Sequence, residues 1–256
     1  MNPTYLRFEL LRVVRARRFF IFSIAFPLIL YYMIAGPNRS ENDFGGSGIS
    51  APLYLMAGLT AFGTMNTVLS TGARIASERA VGWNRQLRLT PLSTKQYFRT
   101  KVLTAYLMAA ITIVLLHGAG MSLGVRLSAD NWARMTVLIL IGLIPFAGLG
   151  IFMGHMLSTD SIGPAMGGTT AFLSLLGGVW FPITSSSALH DLAEALPSYW
   201  LVQASHVALG GRGWDGTGWL VVAAWAVAMA LLAARAYQRD TARPSSAPIR
   251  NARRGQ

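Results

Sequence analysis

The stretch Val102–Val125, VLTAYLMAAITIVLLHGAGMSLGV, contains no charged residue. A bilayer-spanning helix needs about 20 consecutive apolar residues, so this stretch is long enough to cross a membrane. Five other stretches also lack Asp, Glu, Lys and Arg: Phe19–Ala35, Ala51–Ala73, Met135–Leu157, Ile162–Phe181 and Gly218–Ala234. None alternates polar and apolar residues as a barrel strand would. The sequence therefore predicts an all-α integral membrane protein with six transmembrane helices, at 19–35, 51–73, 102–125, 135–157, 162–181 and 218–234.

The overall composition points to the same class of protein. Of the 256 residues, 53% are hydrophobic and only 12% are charged, and the mean hydropathy is +0.44. A soluble domain carries about 25% charged residues, so the composition argues against a soluble enzyme. The sequence has no cysteine, which excludes disulfides, thiolate metal sites and a cysteine nucleophile.

The net charge of +12 is distributed unevenly along the chain. Segments 1–18, 74–101 and 235–256 hold 18 of the 22 basic residues. Basic residues accumulate on the cytoplasmic side of membrane proteins, so we expect both termini inside. Membrane topology then explains the positive charge, and we expect no nucleic-acid partner. The preference for Arg over Lys, with much Ala and Gly, is typical of proteins encoded by GC-rich bacterial genomes. The expected location is the bacterial plasma membrane.

Three further segments flank or interrupt the spans. Residues 1–18 predict an amphipathic interfacial helix with basic residues around an apolar face, or alternatively a basic flank that only sets topology. That apolar face would hold Leu6, Leu10, Val13 and Val14. Residues 182–217 predict two short extracellular helices, Ser185–Leu196 and Tyr199–Leu209, broken at Pro197. Residues 19–237 would form one transmembrane domain, and 238–256 a basic disordered tail in the cytoplasm.

The sequence lacks the motifs of an energy-consuming enzyme. A P-loop requires Gly-x-x-x-x-Gly-Lys-Ser/Thr, yet the only lysines, Lys95 and Lys101, do not follow a glycine. The histidines are scattered, so we expect no metal site; the alternative for His117 and His155 is a ligand or proton carrier. No predicted span holds a carboxylate, which argues against an ion-driven pump. The chain is therefore expected to be no enzyme, and its energy must come from another molecule.

The connection between the second and third spans has the most informative motif, RIASERAVGWNRQLRLTPLS at 74–93. It predicts a short helix over Glu78–Leu89 that has both charged and apolar residues. Pro91 would end that helix, and Ser93 would cap the next one. A rigid charged helix at the membrane surface suits the docking of a soluble partner. The alternative is a solvated basic loop that only anchors topology.

This connection resembles that of the permease subunits of ABC-2 type transporters. In that family a Glu-Arg pair is followed by a glycine, a Leu-rich helix and a Thr/Ser-Pro-Leu/Val turn. The matching positions here are Glu78, Arg79, Gly82, Leu87, Thr90, Pro91 and Leu92. A second glutamate, common in the family after the arginine, is replaced by Ala80. Six spans, a basic first arm, and GGVWFP at 177–182 followed by Leu196-Pro197 also fit the family.

The resemblance implies a division of labour between two kinds of subunit. Two permeases, as a homodimer or with a homologous permease, would form the pathway for a drug-like or lipid-like amphiphile. A separately encoded ABC ATPase would dock on each permease and bind ATP and Mg, while this chain would bind no cofactor. The implied docking residues of the coupling helix are Glu78, Arg79, Gly82, Trp83, Arg85, Leu87 and Arg88. The alternative function is a non-transporting membrane scaffold or assembly protein.

A row of hydroxyl side chains marks a candidate wall of the translocation path. Thr60, Thr64, Thr67 and Thr71 are spaced four, three and four residues apart, which puts them on one helical face. Asn66 lies nearby, and the fifth predicted span offers Thr169, Thr170 and Ser174. A polar face in lipid must meet another helix or a cavity. The alternative is a helix–helix seam in which the hydroxyls bond to their own backbone.

Overall fold

The computed structural model describes residues 3–15, 21–83, 86, 93–183, 188–204 and 213–242. This part of the chain is helical and contains no strand, which confirms the predicted all-α class for those residues. The helices are α1 Pro3–Arg15, α2 Phe26–Ala35, α3 Ala51–Leu69, α4 Thr71–Ala80, α5 Thr94–Ser122, α6 Ala129–Gly142, α7 Ile144–Met156, α8 Thr159–Leu176, α9 Ala188–Glu194, α10 Pro197–Gln203 and α11 Gly216–Ala242. A π-helical turn, Ile21–Ala25, leads into α2.

Three long helices are apolar enough to cross a membrane: Lys95–Ser122, Ala129–Met156 and Gly216–Asp240. They contain most of the third, fourth and sixth predicted spans. The second comprises α6 and α7, which meet at Leu143. A shorter apolar helix, Ser23–Ala35, covers most of the first predicted span. Helices α3 and α8 lie where the sequence predicts spans two and five.

Helix α3 forms the centre of the bundle. All of its residues except Phe62 and Asn66 are buried, because α2, α5, α7, α8 and α10 surround it. Its continuation α4 packs along α7, and α7 in turn packs along α11. A Cβ atom at Gly154 would lie only 2.7 Å from the carbonyl oxygen of Gly72, so α4 and α7 are in near backbone contact. Small residues permit this close approach of helices in a membrane.

The segment around Glu78 differs from the prediction in one respect. Glu78 and Arg79 are the last turn of α4, which begins at Thr71 and ends at Ala80. The predicted start of a new helix at Glu78 is therefore corrected. Gly82 follows with φ +71°, a left-handed conformation that terminates the helix and that glycine adopts readily. Ser93 caps α5 as predicted, since its hydroxyl accepts the Gln96 N–H and the Gln96 side chain accepts the Ser93 N–H.

The terminal helices also differ from expectation. The face of α1 that includes Val13 packs against Ile24 and Met108 of the bundle, so this helix lies against protein on its apolar side. Helix α11 continues to Ala242, past the expected start of the tail at 238. Residues 243–256 of the predicted tail lie outside the described residues, as do 185–187 and 205–209 of the two predicted short helices.

The opposite end of the bundle from Glu78 is closed by α9 and α10. Pro197 begins α10, and α10 is buried from Pro197 to Val202. Three indole N–H groups hold this region through backbone carbonyls: Trp200 donates to Glu194 at 2.7 Å, Trp214 to Trp200 at 2.7 Å and Trp225 to Ala195 at 2.9 Å. The region is therefore a packed cap rather than a loop.

Candidate functional site

Glu78 is the centre of a buried group of charged and polar side chains. Its Oε1 lies 2.5 Å from Lys101 Nζ and 2.7 Å from Arg12 Nη1. Lys101 Nζ also lies 2.6 Å from Glu9 Oε1. The Tyr97 hydroxyl donates to Glu78 Oε2 at 2.9 Å. These five residues, here called the Glu78 cluster, join α1, α4 and α5.

Burial makes the pairing within the Glu78 cluster essential. Glu78 and Lys101 are each 1% exposed, and Glu9 is 4% exposed. An unpaired charge at such a site costs several kcal/mol, whereas a paired and hydrogen-bonded one is tolerated. Arg74 lies one turn earlier on α4. Burial lowers the pKa of its guanidinium, and the nearby carboxylates of Glu9 and Glu78 act in the opposite direction.

Arg79, the next residue, holds a second polar group on another side of α4. Its Nε donates to Asp240 Oδ2 at 2.9 Å, and its Nη2 lies 2.8 Å from Asp240 Oδ1. Its Nη1 donates to the carbonyls of Gly154 at 3.0 Å and Leu157 at 3.1 Å. His155 Nδ1 lies 3.0 Å from Asp240 Oδ2. These five residues, here called the Arg79 clamp, join α4 to α7 and α11.

The Arg79 clamp uses the particular geometry of arginine. The planar guanidinium matches a carboxylate with two parallel hydrogen bonds, which lysine cannot do. It also satisfies carbonyls at the C-terminal end of α7, which have no partner within their own helix. A cation at this end of a helix is further favoured by the helix dipole.

Two adjacent residues thus connect α4 to four other helices. Glu78 binds α1 and α5, and Arg79 binds α7 and α11. Both lie just before the turn at Gly82, beside which the side chains of Val81 and Trp83 are exposed.

The structure locates only some of the predicted docking residues. Glu78 is buried inside one chain, so its side chain contacts α1 and α5 rather than the exterior. The large apolar side chains exposed near it are those of Val81, at 76%, and Trp83, at 39%. Arg85, Leu87 and Arg88 lie outside the described residues, and so do Thr90, Pro91 and Leu92.

The predicted row of hydroxyls is enclosed by helices of the same chain. Thr60, Thr64 and Thr67 are fully buried, and each hydroxyl donates to the carbonyl four residues earlier, at 2.6, 2.6 and 2.7 Å. Ser174 donates in the same way to Thr170 at 2.6 Å. Thr71 and Thr170 are also buried, whereas Asn66 and Thr169 are partly exposed. This bonding pattern fits the helix seam named as the alternative.

Sequence reasoning singled out none of Glu9, Lys101 and Asp240, and it named His155 only as an alternative ligand or proton carrier. A signal was present for the two acids, because each is the sole acid of a strongly basic terminal segment, 1–18 or 235–256. Lys101 is one of only two lysines and lies at the charged edge of an apolar stretch. Nothing in the sequence pairs these residues with α4, since 23 positions separate Lys101 from Glu78 and 161 separate Asp240 from Arg79.

Comparisons with known proteins agree with this architecture. The family model described as "ABC-2 family transporter protein" matches residues 38–235, which is more than three quarters of the chain. The chain is also similar to "Putative transport permease YvfS" of Bacillus subtilis (strain 168), with 28% identity over 195 residues. That alignment covers 75% of this chain and 78% of the relative. Because the family model covers most of the sequence, this chain belongs to the ABC-2 transporter family, as a membrane-embedded permease.

Proposed function

We propose that this chain is the permease subunit of an ABC exporter and that a separately encoded ABC ATPase drives it. Family membership supports the permease role, and the lack of a Gly-x-x-x-x-Gly-Lys-Ser/Thr motif supports a separate motor. ATP and Mg²⁺ would bind to that ATPase rather than to this chain. The cargo would be a drug-like or lipid-like amphiphile, because the predicted spans offer no fixed charge for an ionic substrate.

The ATPase would dock on the segment 81–92, at the exit of α4. Val81 and Trp83 give this segment exposed apolar surface, and Arg85, Leu87 and Arg88 add the charge and apolar bulk expected of a docking helix. In this proposal Glu78 and Arg79 do not contact the ATPase. They fix the end of α4, so that a force applied after Gly82 reaches the bundle.

One observation supports this coupling role best: Glu78 and Arg79 are adjacent, and each binds different helices. Closure of the ATPase pair on ATP would displace the docking segment. Helix α4 would then move, and the Arg79 clamp would transmit this movement to α7 and α11. The ATPase would in this way supply the free energy that favours one of two packings of the bundle.

The proposal includes the arrangement of the chain in the membrane. Six spans with both termini in the cytoplasm would place Glu78, Lys101 and Asp240 on the inner side of the bacterial plasma membrane, and α9 and α10 on the outer side. Two copies would pair as a homodimer. Spans one, two and five would correspond to α2, α3 and α8. The positive-inside distribution of arginine supports this orientation.

The hydroxyl row of α3 would line the translocation path only after the bundle opens. In the closed packing these hydroxyls bond to their own backbone. A threonine hydroxyl can exchange such a bond for a ligand without leaving a buried group unpaired, since the carbonyl remains bonded within the helix. This supports a path that is polar but uncharged.

The test is ATP-dependent transport with purified components. The permease would be reconstituted into vesicles with the ABC ATPase that co-purifies with it, and movement of a fluorescent amphiphile would be followed. We expect transport only when permease, ATPase and ATP are all present. Uphill movement by the permease alone, or failure of any ABC ATPase to co-purify, would contradict the proposal.

A further inference from the structure

An apolar groove of about 560 Å³ lies between α5, α7 and α11. Its walls include Phe98, Val102 and Tyr106 of α5, Ile151 of α7, and Ala230 and Tyr237 of α11. Small residues, among them Gly148 and a row of alanines on α11, make the floor shallow and smooth. A groove of this kind within membrane-spanning helices will be filled by an apolar chain rather than by water.

The length of the groove matches one leaflet of a bilayer. It extends along α11 from Ala226 to Gln238, and the 12 helical steps between these residues correspond to about 18 Å at the helical rise of 1.5 Å per residue. Half of the hydrocarbon core is about 15 Å thick. The groove therefore has room for one acyl chain lying parallel to the helices.

Basic side chains lie at the Phe98 end of the groove. Lys95 lies one helical turn before Phe98 on the same face of α5, and Arg99 is adjacent to that face. Both side chains are exposed, and neither forms an ion pair with a described residue. Gln238 and Tyr237 complete the polar end. This arrangement is complementary to the phosphate of an anionic lipid whose chain fills the groove.

We propose that this groove binds one anionic phospholipid of the inner leaflet, with its phosphate at Lys95 and Arg99 and one acyl chain along α11. The assignment of this lipid to the inner leaflet rests on the proposed function, which puts the Lys95 end of α5 in the cytoplasm. The lipid is a resident ligand and not the cargo, because the groove faces α11 and not the hydroxyl row of α3.

The position of the groove links this lipid to the Arg79 clamp. Phe98 and Tyr237 line the groove and also contact the His155 ring, with centroid distances of 5.9 and 5.4 Å. Their own rings meet edge to face at 4.9 Å. A lipid chain against these rings fixes the orientation of His155, whose Nδ1 contacts Asp240 of the clamp. The bound lipid therefore stabilises the junction of α4, α7 and α11.

The test is lipid retention by the purified permease, without ATPase or ATP. Protein would be extracted from symmetrical vesicles with equal phosphatidylglycerol and phosphatidylcholine, and bound lipids would be counted by native mass spectrometry. We expect one phosphatidylglycerol per chain in excess over phosphatidylcholine. Ala230→Trp fills the groove and should lose this lipid. Ala228→Trp, on the opposite and exposed side of α11, is the matched control and should keep it.

Charge variants test the headgroup end without altering the packed helices. Lys95→Gln and Arg99→Gln should each lower the preference for phosphatidylglycerol about fivefold, whereas Arg239→Gln, exposed elsewhere on α11, should not. These charge variants test the lipid site even if Ala230→Trp fails to fold. Equal retention of both lipids, or the same lipid count in Ala230→Trp and Ala228→Trp, would overturn the proposal. The proposal would also be overturned if Ala230→Trp dissociated a dimer with no loss of lipid, because the groove would then hold a second copy of the chain.

This experiment separates the lipid site from the proposed function. Symmetrical vesicles present the same lipids on both sides, so an inverted orientation would leave the lipid count unchanged. Failure of ATPase coupling would likewise leave it unchanged. Conversely, a permease that transports normally but retains no phosphatidylglycerol would refute only the lipid site.

Discussion

At the scale of single residues, the pair Glu78 and Arg79 shows how one motif serves two sides of a helix. The resemblance to ABC-2 permeases was enough to single out both residues. Their ion pairs could not be predicted, because the partners Glu9, Lys101 and Asp240 lie in other segments whose composition alone suggests solvated basic flanks. Glu78 and Arg79 lie on different faces of α4, and the face on which each residue lies, rather than its type, determines which helices it binds.

Lys101 should be far more important for stability than the other lysine. Lys101→Met leaves Glu9 and Glu78 buried without their central cation, so we expect a loss of about 3–5 kcal/mol in the free energy of unfolding. Thermal unfolding in detergent measures this loss. Lys95→Met is the matched control, because Lys95 is exposed and forms no ion pair with a described residue. Equal effects of the two substitutions would show that the Glu78 cluster does not hold the bundle.

Asp240 should contribute more than a surface carboxylate in a similar ion pair. Asp240→Asn removes a charged acceptor shared by Arg79 and His155, and we expect destabilisation of about 1.5–3 kcal/mol. Asp130→Asn breaks the exposed pair with Arg134 four residues later, and pairs of that kind contribute about 0–1 kcal/mol. Unfolding midpoints that shift by the same amount would contradict the clamp.

At the scale of helices, hydropathy locates the membrane-embedded part of a helix but not its ends. The uncharged stretch begins at Val102, yet α5 begins at Thr94, because Ser93 and Gln96 cap a helix that continues through its charged turns. Helix α11 likewise continues to Ala242, where Asp240 binds Arg79. Helix α4 crosses the boundary between the second predicted span and the charged connection, so the hydropathy pattern marks neither its start at Thr71 nor its end at Ala80.

The contact between α4 and α7 should tolerate no added methyl group. Gly154→Ala would place a Cβ 2.7 Å from the Gly72 carbonyl oxygen and 2.9 Å from Ile75 Cβ, so we expect a loss of about 1–3 kcal/mol. Gly118→Ala is the matched control, because a Cβ at that helical position meets nothing within 4 Å. Both changes gain the same helix propensity, so the difference in unfolding temperature isolates the contact. A Gly154→Ala protein as stable as Gly118→Ala would mean that α4 and α7 do not pack closely.

At the scale of the whole molecule, the distribution of arginine predicts how the chain lies in the membrane. Because the sequence has no cysteine, single cysteines can be introduced without background. Cysteines at Asn42 and Ser187 should react with an impermeant thiol reagent from outside intact cells, and one at Thr94 only after permeabilisation. The reverse labelling pattern would overturn the proposed orientation while leaving the packing of the helices unchanged.

The coupling mechanism itself makes a prediction for the assembled transporter. Arg79→Gln should leave the proposed docking segment able to bind the ATPase, while α4 no longer moves α7 and α11. Arg134→Gln, at an exposed ion pair, is the control and should behave as the unmodified protein.

The ratio of amphiphile transported to ATP hydrolysed in co-reconstituted vesicles tests this central claim most directly. The account predicts that Arg79→Gln lowers this ratio about tenfold, a size typical of energetic coupling between two sites. The amount of bound ATPase should stay unchanged. An Arg79→Gln permease that transports as much amphiphile per ATP as the Arg134→Gln control would contradict it.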